Sequence, residues 1–175
     1  MTTPMTTSSL SMYAASVPVF KQMLGGLSNF LAKAETHATA KNIAPEVFLQ
    51  SRLYPDMFNL TRQVQIACDF AKGTCARLGG VEVPGYEDKE VTFADLQARI
   101  AKTVAFIDGI PAASIDGSEA RVIVTGPGTP REKTFAGQAY LLTYAIPHFF
   151  FHTTTAYAIL RHNGVEIGKK DFIGA

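Results

Sequence analysis

Tryptophan is absent from this 175-residue chain, cysteine occurs only twice, and no apolar run approaches the roughly 18 residues needed to cross a bilayer. The missing apolar run excludes a helical membrane anchor within the sequence. Residues 1–9 are Thr/Ser-rich and uncharged, without the basic stretch and apolar stretch that a secretory signal needs; they are expected to be disordered. Cys68 and Cys75 fall on one predicted helix, seven residues and about 10 Å apart along its axis, beyond disulfide reach. They read as reduced core residues of a cytoplasmic protein. Charge is scarce too. Only 18% of residues are charged, the net charge is +1, and no block of one sign occurs, which argues against nucleic acid or an acidic membrane as partner. No nucleotide-binding glycine loop, nucleophile elbow or Cys-His-Asp triad is present.

What is there is apolar and periodic. The hydrophobic fraction is 47%, with 12 Phe, enough for a sizeable core. From residue 11 to 41, Tyr13, Val17, Phe20, Leu24, Leu27, Leu31, Ala34 and Ala38 recur in steps of four and three, one stripe on one helix. Pro18 suits a first turn or a kink, and Gly25-Gly26 suggests close approach of another helix. A short helix from Pro45 to about Gln50 follows. A second long helix is expected from about Met57, capped by Asp56, to Leu78, with Gly79-Gly80 as its stop. After a turn-rich connection, Thr92 and Asp95 resemble a capping box opening a third helix that ends at Gly109. Residues 121–135, with Gly126-Pro127-Gly128 at their centre, predict a small β-hairpin or extended loop. A last helix runs from about Phe135 to Asn163 and should kink at Pro147. The tail is expected to pack Phe172 back on the rest. Together these features predict an all-α, four-helix bundle forming a single domain over residues 10–175.

The sharpest chemical feature is His148-Phe149-Phe150-Phe151-His152. Two histidines four apart on a helix share a face and can share a metal ion, zinc and nickel among the candidates. A third ligand must come from elsewhere, and Asp69, set among apolar residues, is the candidate. The competing explanation is that each histidine hydrogen-bonds a carbonyl or carboxylate and Asp69 is structural. His162 lies too far along the helix, and His37 has no obvious partner. Arg62, Gln65, Tyr13, Tyr157 and Phe149 are candidate lining residues for a ligand pocket.

Three phrases carry a resemblance: Ser16-Val17-Pro18-Val19-Phe20, the run from Arg62 to Lys72, and the run from Phe149 to Gly164. Together the chain resembles a bacterial domain-of-unknown-function family of the DinB/YfiT-like superfamily of proposed metalloenzymes, over nearly its whole length. The resemblance implies an up-down-down-up four-helix bundle and a homodimer. Better-known members bind a divalent metal through one histidine on the second helix and two on the fourth, and some transfer or isomerise thiol-linked small molecules. His148 and His152 match the fourth-helix pair; the second helix here has no histidine, so Gln65 or Asp69 would substitute. The functional expectations are a divalent-metal-dependent enzyme of hydrolase or thiol-transferase type, or alternatively a metal-free small-molecule-binding or structural dimeric bundle.

Overall fold

The computed structural model describes residues 10–174; the expected disorder of residues 1–9 lies outside them. The chain is mostly helical. α1 (Val17–Ala40) is followed by a short α2 (Pro45–Leu49), then α3 (Leu60–Gly79), α4 (Phe93–Asp108) and a single-turn α5 (Ala112–Ile115). Strands β1 (Val122–Thr125) and β2 (Lys133–Ala136) pair antiparallel, with Val122 opposite Ala136 and Thr125 opposite Lys133. One turn of helix, α6 (Gly137–Ala139), leads into a π-helical stretch, Tyr140–Ala145, and that into α7 (Ile146–His162); α8 (Lys169–Ile173) closes the chain.

The ends of these helices follow local chemistry. Pro18 sits in the first turn of α1, where its missing N–H costs no hydrogen bond. α3 begins three residues later than the expected Met57, because Asn59, not Asp56, caps it: its side chain accepts from the Arg62 N–H at 2.9 Å. Gly80, at φ 67°, ends that helix in the left-handed conformation. Thr92 and Asp95 form a full capping box, 3.0 Å in one direction and 2.9 Å in the other.

The apolar stripes meet in one core. Val17, Phe20, Leu24, Leu27 and Leu31 of α1 are fully buried with Leu60, Val64, Cys68, Ala71 and Cys75 of α3, Leu96 of α4 and Phe149, Ala156 and Ile159 of α7. α3 packs against both α4 and α7, and α1 against α4, α7 and α8. The neighbour implied by the glycine pair is the C-terminal α8: a Cβ on Gly26 would lie 2.5 Å from the Phe172 carbonyl oxygen, whereas Gly25 faces open space. Phe172 packs edge-on against Tyr157, 5.6 Å between ring centroids. Among the described residues no helix is long and apolar enough to cross a membrane.

The last long helix departs from expectation in an instructive way. The sequence predicts one continuous helix with a proline kink. Instead, a π-helical stretch precedes Pro147, which then takes a first-turn position of α7. In an α-helix a step of four residues overshoots a full turn, and in the wider π turn it undershoots. The mixed geometry therefore keeps Tyr140, Tyr144, His148 and His152, each four residues apart, in one column.

Candidate functional site in the seam between α3 and α7

The column faces α3. On that helix Gln63, Phe70, Thr74 and Arg77 recur at helical spacing, and the two helices run antiparallel, so Gln63 meets His152 while Arg77 meets Tyr140. Between them lies a ladder of rings. Tyr140 stacks on Tyr144 at 5.9 Å between centroids, Tyr144 touches His148 at 4.3 Å, and Phe70 lies nearly parallel to both His148 (4.8 Å) and His152 (6.0 Å). Phe135 of β2 adds a further ring at 5.1 Å from Tyr144.

In both seam histidines Nδ1 carries a proton. His152 is buried, with Nδ1 2.7 Å from the Gln63 Oε1. Gln63 Nε2 is engaged in donating to the Phe58 carbonyl at 3.1 Å, which fixes the amide orientation. An amide oxygen only accepts, so Nδ1 carries the proton and Nε2 keeps its lone pair. His148 is exposed and likewise donates from Nδ1, to the Tyr144 carbonyl at 2.7 Å. Burial is the main force that pushes His152 down to about 4, with the positive charges of His148 and Arg62 adding to it. The imidazole is therefore neutral at any ordinary pH.

The expected site residues separate into three places. His148 and His152 lie in the seam. Phe149 faces the other way, edge-on to Phe20 at 4.8 Å, and Tyr157 packs on Phe30 at 6.0 Å; both belong to the α1 side. Tyr13 sits beyond the start of α1, its backbone N–H bound to Asp116. Arg62, Gln65 and Asp69 form part of an ionic network under the connection between α3 and α4. Arg62 pairs with Asp88 at 2.5 Å and donates to Gln65 at 3.1 Å, and Gln65 donates to Glu90 at 2.8 Å. Arg99 of α4, only 4% exposed, is the hub, reaching Asp69 at 3.0 Å, Asp88 at 3.0 Å and Glu90 at 2.9 Å. Asp69 also takes Lys72 at 3.0 Å. Its negative charge is thus met by two cations, and the trio His148, His152 and Asp69 is not assembled.

Comparison with known proteins places most of the chain. Residues 12–173 match a domain of unknown function, DUF1993. The chain belongs to this family. A crystal structure described as a DinB family member protein from Shewanella denitrificans is 44% identical, covers 93% of this chain and 92% of its own, and superposes with a TM-score of 0.85. No curated protein matches.

The DinB-like resemblance raises a divalent metal, and the donors present do not fit one. Among the described residues no three His, Cys, Asp or Glu side chains stand close enough to hold a metal ion. Two imidazoles are available, the Gln63 oxygen is spent on the His152 Nδ1–H, and Arg62 lies near enough for its positive charge to bear on His152. A mononuclear site needs at least three protein ligands. Nor is there a reactive thiol: burial pushes both Cys68 and Cys75 up to about 12.

The sequence did not single out Gln63, Phe70, Arg77 or Arg99. The i, i+4 spacing of Tyr140, Tyr144, His148 and His152 was the available signal for the ladder, hidden by the proline that appeared to interrupt it.

Proposed function

We propose that this DUF1993 protein is a metal-independent small-molecule-binding protein whose ligand lies along the aromatic ladder between α3 and α7. The observation that carries this is the state of His152: neutral, buried and fixed in one tautomer by Gln63, with the lone pair on Nε2. A group titrating near 4 is a weak base at neutral pH, far from the match that proton transfer requires. It is a good hydrogen-bond acceptor at the end of a row of aromatic faces, which suits a planar apolar molecule with a hydroxyl or N–H donor. The same proposal takes the four long helices as the up-down-down-up bundle of the resemblance and the protein as a cytoplasmic homodimer.

The test uses phenol as probe, with tag-free protein purified without chelator. Elemental analysis should find no stoichiometric metal. Phenol should perturb the amide resonances of Phe70, Tyr144, His148 and His152 in a two-dimensional NMR titration, and His152→Ala should weaken the effect several-fold. About one metal per chain, lost in His152→Ala, would contradict the proposal, as would phenol shifts scattered away from the seam.

A further inference from the structure

The ladder has a charged end. At its Tyr140 end lies a cavity of about 240 Å³, lined by Asp69, Phe70, Arg77, Thr125, Gly126, Tyr140 and Tyr144. Arg77 is the cation in it. No carboxylate pairs with Arg77 among the described residues; its one side-chain partner there is the Tyr140 hydroxyl at 3.3 Å, which Thr74 also approaches at 3.4 Å. Asp69, the acid in the lining, is already compensated by Lys72 and Arg99. A second cation with no carboxylate partner among the described residues, Lys133 of β2, stands over the Tyr144 ring, 5.6 Å from its centroid. The cavity therefore carries uncompensated positive charge beside aromatic walls.

Gly73 sets the position of Arg77. It lies in the interior of α3, where glycine is otherwise a poor choice. A Cβ there would stand 2.5 Å from Arg77 Nη1. The guanidinium is folded back over the bare backbone of Gly73, toward the start of the helix. That shortens its axial separation from Phe70 from seven residues, about 10 Å, to three, about 5 Å. The guanidinium thereby comes to share a cavity wall with the Phe70 ring. The π-helical stretch supplies the facing wall, as such stretches often do at binding sites.

We infer that this cavity binds an aromatic carboxylate, its ring against Phe70 and Tyr144 and its carboxylate on Arg77 with Lys133 nearby. Arg77 supplies planar paired N–H donors, the geometry that favours a carboxylate over a neutral amide. The inference rests on the seam being a ligand site and adds the class of ligand.

The experiment compares sodium benzoate, benzamide and sodium acetate by NMR titration of the intact chain, alongside the phenol titration above. Benzoate should bind at least about tenfold more tightly than benzamide, since one charge-assisted pair separates them, and acetate should bind more weakly than benzoate. Arg77→Gln should abolish the preference for benzoate over benzamide. Gly73→Ala should weaken benzoate about tenfold by displacing the guanidinium, while its melting temperature stays level or rises, so that loss of binding is separable from loss of fold. Equal affinity for benzoate and benzamide, or benzoate binding untouched by Arg77→Gln, would overturn the carboxylate anchor. If phenol still perturbs the seam in that case, the small-molecule reading survives; if no probe perturbs it, both fall.

Discussion

His152 departs furthest from its solution behaviour among the residues of the seam. In the unfolded chain it takes up a proton near pH 6.5; in the folded protein burial, with His148 and Arg62, holds that event down to about 4. Between those values the unfolded state binds the extra proton, so stability falls as pH drops and is fully present only above the unfolded value. For this one group the loss between pH 7 and pH 4.5 comes to about 2 kcal/mol. Urea unfolding at the two pH values should therefore separate the native protein from His152→Gln. The variant loses only what other groups contribute in that window; Asp95 and Asp171, whose carboxyls are held below the usual range first of all by hydrogen bonds from Thr92 and Lys33, give up their contribution at lower pH. A pH dependence identical in both proteins would mean that His152 titrates as an exposed imidazole.

At the scale of elements, the connection from α3 to α4 is fastened by charge where the rest of the chain is fastened by apolar packing. Arg99 gathers Asp69, Asp88 and Glu90 around a guanidinium that is almost wholly buried. The Tyr86 ring takes Lys72 on one approach at 3.7 Å and Lys102 on another at 4.2 Å. Removing the hub leaves three acids without their shared partner. Arg99→Ala should cost about 3–5 kcal/mol of unfolding free energy, whereas Lys89→Ala, whose ion pair with Glu87 is exposed, should change it by less than about 1 kcal/mol. Calorimetric unfolding of the two variants checks this; similar small effects in both would show that the network is loosely held.

These elements differ in how far the sequence announces them. The stripe from Val17 to Ala38 is legible because a 3.6-residue period of large apolar side chains has few other uses, and every one of its members from Val17 onward is buried. The β-branched run Val122-Ile123-Val124 before a Gly-Pro-Gly turn is legible from its composition, and the hairpin is there. The start of α3 is not legible, because Asp56 and Asn59 are both good caps and only the path of the preceding turn selects between them. Arg99 is illegible because a charged residue beside an apolar stripe is ordinarily solvent-facing, and its burial depends on acids 9 to 30 residues away. The pairing of Gln63 with His152 spans 89 residues and follows from the rotation of α7, which the π-helical stretch sets. No local pattern encodes that rotation.

For the whole molecule, the chain belongs to the DUF1993 family and shares its fold with a 44% identical DinB-family neighbour. A structure built around one neutral imidazole, one buried amide and a row of aromatic faces suits binding better than metal chemistry. The most direct measurement is the long-range proton–nitrogen NMR spectrum of the His152 ring at pH 7, before and after one equivalent of zinc. The account predicts a neutral ring protonated at Nδ1, its nitrogen shifts unmoved by zinc and unmoved down to about pH 5.5. A ring that titrates near 6.5, or an Nε2 resonance displaced by stoichiometric zinc and restored by chelator, would contradict it.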